Sequence, residues 1–280
     1  MKKIFIVLMV AAAFVGCSQK NEDTTATATE KAKAQAKAKQ EERMMSAEAQ
    51  FEARINELKK LGKRRDANKD SLNAVYDAFL REQAQAHIGE KLGLEITRTL
   101  SVDYNCKQLD SVMNLCQLYK EDPELNKLYS AAKAAEATAP GAKFIDFVGE
   151  ERKSNKPRPL SNYVGKGKPV VLTFWSSSSI ASRDEIRKYI FPAVQEYRNK
   201  VNFVSTAVWE DTIYDAHRAA SELEMDWTML YAGQRENSPT DAYGVLRIPN
   251  TFIIGNDGII KARNLRGEEI EAAIKKVLGK

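Results

Sequence analysis

Residues 170–175 read VVLTFW and run directly into SSSSIASR at 176–183. A short continuous apolar run of this kind suits a strand buried on both faces, and the charged stretch that follows, 182–200, suits a helix. A second apolar strand is expected at 201–208, with a helical pattern at 211–223 behind it. Strands at 251–254 and 259–263 flank Asn256-Asp257-Gly258, a hairpin signal, and a closing helix covers 268–278. Strands alternating with helices and ending in a hairpin predict an α/β sandwich of three layers.

The preceding half is built differently. Between residues 17 and 139 the only glycines and prolines are Gly62, Gly89, Gly93 and Pro123, while all three tryptophans lie beyond. From about Met44 the apolar residues take helical spacing: Phe51, Ile55 and Leu58, then Leu72, Val75, Tyr76, Phe79 and Leu80. Asn105 with Gln108 reads as a capping box ahead of Leu109, Val112, Met113 and Cys116, and Asp122 before Pro123 opens a further helix. Four or five helices are expected, with no catalytic cluster on their stripes and His87 as an ordinary helix residue. If Cys106 and Cys116 share one helix, ten residues at 1.5 Å rise hold their Cα atoms about 15 Å apart, beyond the roughly 7 Å limit of a disulfide. Both are then free thiols, with Cys106 in a first turn, where helix N–H groups can lower a thiol pKa.

The 280 residues carry 43 Lys+Arg against 38 Asp+Glu, a formal charge of +5 of which Lys2 and Lys3 supply two. That is too little for nucleic-acid binding. Three cysteines and two histidines without ligand spacing give no metal site. The uncharged run 4–16 behind Lys2 and Lys3 is too short to span a bilayer and has the regions of a secretory signal. Its end, FVG before Cys17, resembles the lipobox of bacterial lipoproteins, which implies a diacylglycerol (palmitate-bearing) anchor on Cys17. Ser18 behind it resembles outer-membrane sorting. Residues 17–40, rich in Thr, Ala, Lys and Gln, have no large side chain to bury and read as a tether.

The blocks PGAKFIDF (140–147), GKGKPVVLTFWSSSSIASR (165–183), YGVLRIPNTFII (243–254) and NDGIIKARNLRG (256–267) resemble the TlpA/AhpC-TSA family of exported thiol-disulfide oxidoreductases. The resemblance implies a thioredoxin-like sandwich over 140–280, a cis-proline at Pro249, and a redox Cys-x-x-Cys whose two positions are here Ser179 and Ser182, with Ile180 and Ala181 between. Pro192 falls later than the family's helix-kinking proline, so the first helix is expected to begin differently or carry an insertion. The family pattern places Trp175 beside the loop, where core and groove wall are both open to it. Ser182 with Glu185 reads as an N-cap.

Disulfide exchange needs a thiolate and a thiol leaving group, and a serine hydroxyl supplies neither. Acyl transfer through Ser179 fails as well: there is no G-x-S-x-G, and His217 belongs to the helix after the next strand. The expected organisation is a leader at 1–16, a tether at 17–40, an all-α segment at 41–139 and the thioredoxin-like domain at 140–280. The expected function is a lipid-anchored envelope protein without cofactor. It would bind an extended polypeptide or envelope protein at Trp175, Ile248, Pro249, Asn250 and Thr251. The alternative is an oxidoreductase or peroxiredoxin-like enzyme that uses Cys106 or Cys116, or a Cys-to-Ser form of one.

Overall fold

The computed structural model describes residues 46–64, 68–233 and 238–279, so Cys17, the leader and the tether lie outside the described residues. The chain divides into two compact units at Leu72/Asn73. In the first, helix α1 (Ala47–Gly62) is capped by Ser46, whose hydroxyl accepts from the Ala49 N–H. Glu48 near its start and Lys59 and Lys60 near its end complement the helix dipole. Helix α2 (Lys69–Ala86) crosses the division.

The second unit continues with α3 (Lys91–Ser101), α4 (Cys106–Met113), α5 (Gln117–Lys120) and α6 (Pro123–Ala137). Among the described residues this segment has six helices where four or five were expected: α3 is not among the stripes read from sequence, and the single helix over both cysteines is two, α4 and α5. The capping box is present, with the Asn105 side chain accepting from Gln108 N–H and the Gln108 side chain from Asn105 N–H. Helix α4 stops at Asn114, whose side-chain amide takes the Asp110 carbonyl at 2.9 Å, a local bond that competes with propagation. Cys116 is the N-cap of α5, and both thiols are free. Leu94, Tyr119 and Leu125 form the buried centre of this bundle. Arg98 meets Asp122 with two nitrogens on two oxygens, and Asp122 also caps α6 through Leu125 N–H at 2.9 Å. No helix among the described residues is long and apolar enough to cross a membrane.

Seven strands follow: β1 (Val148–Glu151), β2 (Lys156–Pro159), β3 (Val170–Trp175), β4 (Asn202–Val208), β5 (Thr228–Gly233), β6 (Asn250–Ile254) and β7 (Ile260–Leu265). Their order is β2-β1-β5-β4-β3-β6-β7, with β3, β4 and β5 parallel and the other pairings antiparallel. Strands β1, β2 and β5 were not among those expected from sequence. All six residues of β3 are buried, as its apolar run requires.

Alternation along the strands divides the core into two. Val171, Trp175, Phe203, Ala207 and Ile253 face α9 (Ile213–Glu222), α11 (Glu268–Val277) and the long helix after β3. Val170, Leu172, Phe174, Val204 and Phe252 face the other way, onto Leu160, Val164, and Tyr243 behind the short α10 (Pro239–Ala242). The helix after β3 is in three parts: α7 (Ile180–Glu185), a π-helical stretch Ile186–Ile190, and α8 (Phe191–Tyr197). Pro192 has no N–H to donate, and the chain widens to an i→i+5 bond from Phe191 N–H to the Ile186 carbonyl. That widening is the local irregularity the late proline implied.

Helix α6 is tied to the sheet. The Arg263 guanidinium, from β7, donates to the carbonyls of Ala135 and Tyr243 and to the Thr138 hydroxyl. Gly244, at φ +62°, lies so close beneath α6 that a Cβ there would stand 2.3 Å from the Ala131 carbonyl oxygen.

Candidate functional site

The loop 176–179 leaves β3 at the end of the sheet where β6 begins, since Phe174 pairs with Asn250 in register. Ser179 is in extended conformation, with φ −86° and ψ 110°, and its hydroxyl accepts from Ser182 N–H at 3.2 Å. Ser179 is therefore the N-cap, which corrects the expectation that Ser182 has that role. Ser182 sits within the first turn, fully buried, with its hydroxyl making no hydrogen bond among the described residues. Glu185 does not reach back to close a capping box. It turns inward and accepts from Gly267 N–H at 2.8 Å, at the start of α11. Burial raises its pKa, against the lowering effect of the Gly267 bond and of Arg266.

A second carboxylate holds the loop. Glu210, just past β4, is 4 % exposed and accepts from both the N–H and the hydroxyl of Ser177. Burial pushes its pKa up, and the Ser177 bonds pull it down. Ser176 and Ser178 join hydroxyls at 3.0 Å. Beside them lies a cleft of about 210 Å³ lined by Ser177, Ser178, Arg183, Glu210, Asp215 and Arg218, among others. Neither Glu185 nor Glu210 was identified as a site residue from sequence. Their partners lie 82 and 33 positions away, so only the relative placement of strands reveals them.

The remaining expected site residues divide by exposure. Trp175 is a core residue, fully buried, and its indole N–H has no partner among the described residues. The Ile248–Pro249 peptide bond is cis. Asn250 and Thr251 are buried, the first donating to the Asn264 side chain at 2.9 Å and the second sharing a hydroxyl contact with Thr173 at 3.1 Å. Ile248 is half-buried, and Arg247 before it reaches Asp103 at 3.1 Å. Around the same end of the sheet stand exposed apolar side chains: Ile180 in the first turn of α7, Trp209 and Tyr214 after β4, and Leu246 ahead of Pro249.

The cysteines are on the helical segment. Cys106 opens α4, yet its pKa is raised rather than lowered, first by desolvation and then by a hydrogen bond to Glu136. Those two effects outweigh the helix terminus, so the first-turn position does not lower the thiol pKa. His87 is satisfied by Glu90 at 2.8 Å.

Residues 140–263 match the AhpC/TSA family model. No curated protein shows significant similarity to the chain. Among solved structures it is similar to the thioredoxin domain of a thiol-disulfide oxidoreductase from Bacteroides vulgatus, at 20% identity and a TM-score of 0.45, over 49% of this chain and 96% of that one. A thiol:disulfide interchange protein from Bacteroides sp. matches at 19% and 0.46, over 51% and 93%. A thiol-disulfide oxidoreductase from Bacteroides fragilis matches at 16% and 0.44, over 48% and 98%. With a parallel β3-β4-β5 core, an antiparallel β6-β7 hairpin and a cis-proline at the mouth of the serine loop, residues 140–263 are a thioredoxin-like domain of the AhpC/TSA family.

Proposed function

We propose that this protein is a non-catalytic thioredoxin-like binding module, exported and held in the cell envelope by a lipid on Cys17, with the outer membrane as its site. One observation carries the loss of catalysis. The two positions that would hold a redox pair are hydroxyls committed to structure, Ser179 to capping the helix and Ser182 to burial in its first turn. Neither can form the mixed disulfide on which exchange depends. Of the two thiols that could substitute, Cys106 has its pKa raised by desolvation and by the Glu136 hydrogen bond, and both Cys106 and Cys116 lie on the helical segment ahead of residue 140. Binding is supported by exposed Ile180, Trp209, Tyr214 and Leu246 around the serine loop, side chains that would gain from leaving water. The occupant is an extended polypeptide laid along 246–248, ahead of Pro249, because Asn250 and Thr251 are buried in a strand already paired with β3 and β7.

Insulin reduction and peptide titration by calorimetry test the two halves separately. No turnover and weak binding are expected. Turnover that Cys106→Ala or Cys116→Ala abolishes would establish an oxidoreductase instead. For the anchor, Cys17→Ser should move the protein from the detergent phase to the aqueous phase, and retention in detergent would refute the lipid.

A further inference from the structure

Arg247 stands two residues ahead of Pro249, on the segment that faces the serine loop, and Leu246 beside it is exposed. Its guanidinium pairs with Asp103 at 3.1 Å, with side chains 53% and 75% exposed respectively. Asp103 does not belong to the thioredoxin-like domain. It lies on the short turn between α3 and α4, which is fixed by the bond from Tyr104 N–H to the Ser101 carbonyl, by the Asn105 cap and by Arg81 donating to the Tyr104 hydroxyl. A rigid turn of the helical segment thus presents a carboxylate to an arginine at the proposed groove. A pair this exposed is weak and exchanges readily with solvent or a competing anion.

Other charges at this end of the sheet are differently engaged. Arg183 is bound to Glu222 at 2.6 Å and Arg218 to Asp215 at 2.8 Å. Glu210 is occupied by Ser177. Arg247 is the cation next to the segment where a strand-like ligand would pair, and its planar fork suits a carboxylate.

We infer that the groove selects an extended polypeptide carrying an acidic side chain next to apolar residues, and that Asp103 is a built-in competitor occupying Arg247 until that side chain displaces it. This rests on the binding reading above. The helical segment then sets the threshold for binding without covering the groove.

The test uses the full chain and two end-blocked peptides of identical apolar sequence, one with a central Glu and the other with Gln, titrated by calorimetry. The Glu peptide should bind about threefold tighter, the size an exposed ion pair carries, and the advantage should vanish at high salt. Asp103→Asn should raise affinity for the Glu peptide and leave the Gln peptide unchanged. Arg247→Gln should make the two peptides equal. Equal binding of both by the unaltered protein overturns the acidic selection, and no effect of Asp103→Asn overturns the competitor role; either leaves the groove standing. An unblocked Gln peptide that binds as well as the Glu peptide would assign Arg247 to chain termini and overturn the side-chain assignment. Binding of neither peptide removes the groove and the selection together.

Discussion

Ser177 donates its backbone N–H and its hydroxyl to the two oxygens of one carboxylate, that of Glu210. The contact joins the loop after β3 to the end of β4, so the segment that would carry redox chemistry in a thioredoxin-like enzyme is here clamped from the neighbouring strand.

Glu210→Ala leaves both Ser177 donors without an acceptor in a largely buried setting. The expected loss of stability in urea denaturation is about 2–3 kcal/mol. Glu210→Gln keeps one oxygen for the N–H and should lose less. Equal losses for the two variants would show that the full carboxylate, and not the volume or the single oxygen that Gln retains, is what Glu210 contributes.

Ser179→Cys with Ser182→Cys would place a thiol pair on an existing helix start. Residues three apart there have Cα atoms about 5 Å from one another, inside the range a disulfide spans. The double variant should lose two hydrogens on mild oxidation, seen by mass spectrometry, and should reduce insulin well above the unaltered protein's background. A variant that folds, forms the bridge and still fails to turn over would show that the serines at 179 and 182 are not what keeps the proposed binding module from disulfide exchange.

Asp122 gives a pH dependence with a definite sign. The Arg98 hydrogen bond, aided by the Leu125 N–H, holds its carboxyl below the ordinary value despite burial. The folded state therefore binds that proton less readily than the unfolded state. Its stabilising contribution is complete above the unfolded pKa and is lost as pH falls through the folded one. Asp122→Asn retains a capping oxygen but not the charge, and should cost about 2 kcal/mol near pH 7 with the difference closing below about pH 4. Glu185 and Glu210, with raised pKa values, contribute in the opposite direction: their stability is present at low pH and lost as pH rises through their folded values. The variant must accordingly be compared with the parent at each pH. A gap that does not narrow in acid would contradict the ion-pair account.

Gly244→Ala forces a Cβ into the backbone of α6 and places a side chain at positive φ. A loss of about 3 kcal/mol is expected, read by thermal or urea unfolding. Near-neutral behaviour would mean that α6 moves away from the sheet freely.

What could be read from sequence depended on how local the cause was. VVLTFW declares itself because burial on both faces demands apolar residues at every position, and Asn105, Gln108 and Asp122 cap helices within three residues of their partners. Ser182 and Glu185 mislead for the converse reason. Their spacing imitates a capping box, yet Glu185 is bonded to Gly267 across the core and the cap falls to Ser179. Strand β2, Lys-Pro-Arg-Pro, gives no strand signal because proline cannot donate to a ladder; at the edge of the sheet that defect is tolerated. The break after Met113 was hidden because a side-chain amide, not a glycine or proline, ends the helix. Glu210 shows no periodicity or motif at all, and only the adjacency of β3 and β4 brings it to Ser177.

The Arg263 tie has a consequence for inheritance. Family likeness begins at residue 140, but the guanidinium's acceptors include Ala135 and Thr138, ahead of that boundary. A fragment cut where the likeness starts would carry a half-buried cation stripped of two of its partners and a glycine surface shaped for an absent helix. The stretch that evolution transmits as a family module and the stretch that folds as one body are different lengths of this chain, and expression boundaries drawn from the former would truncate the latter.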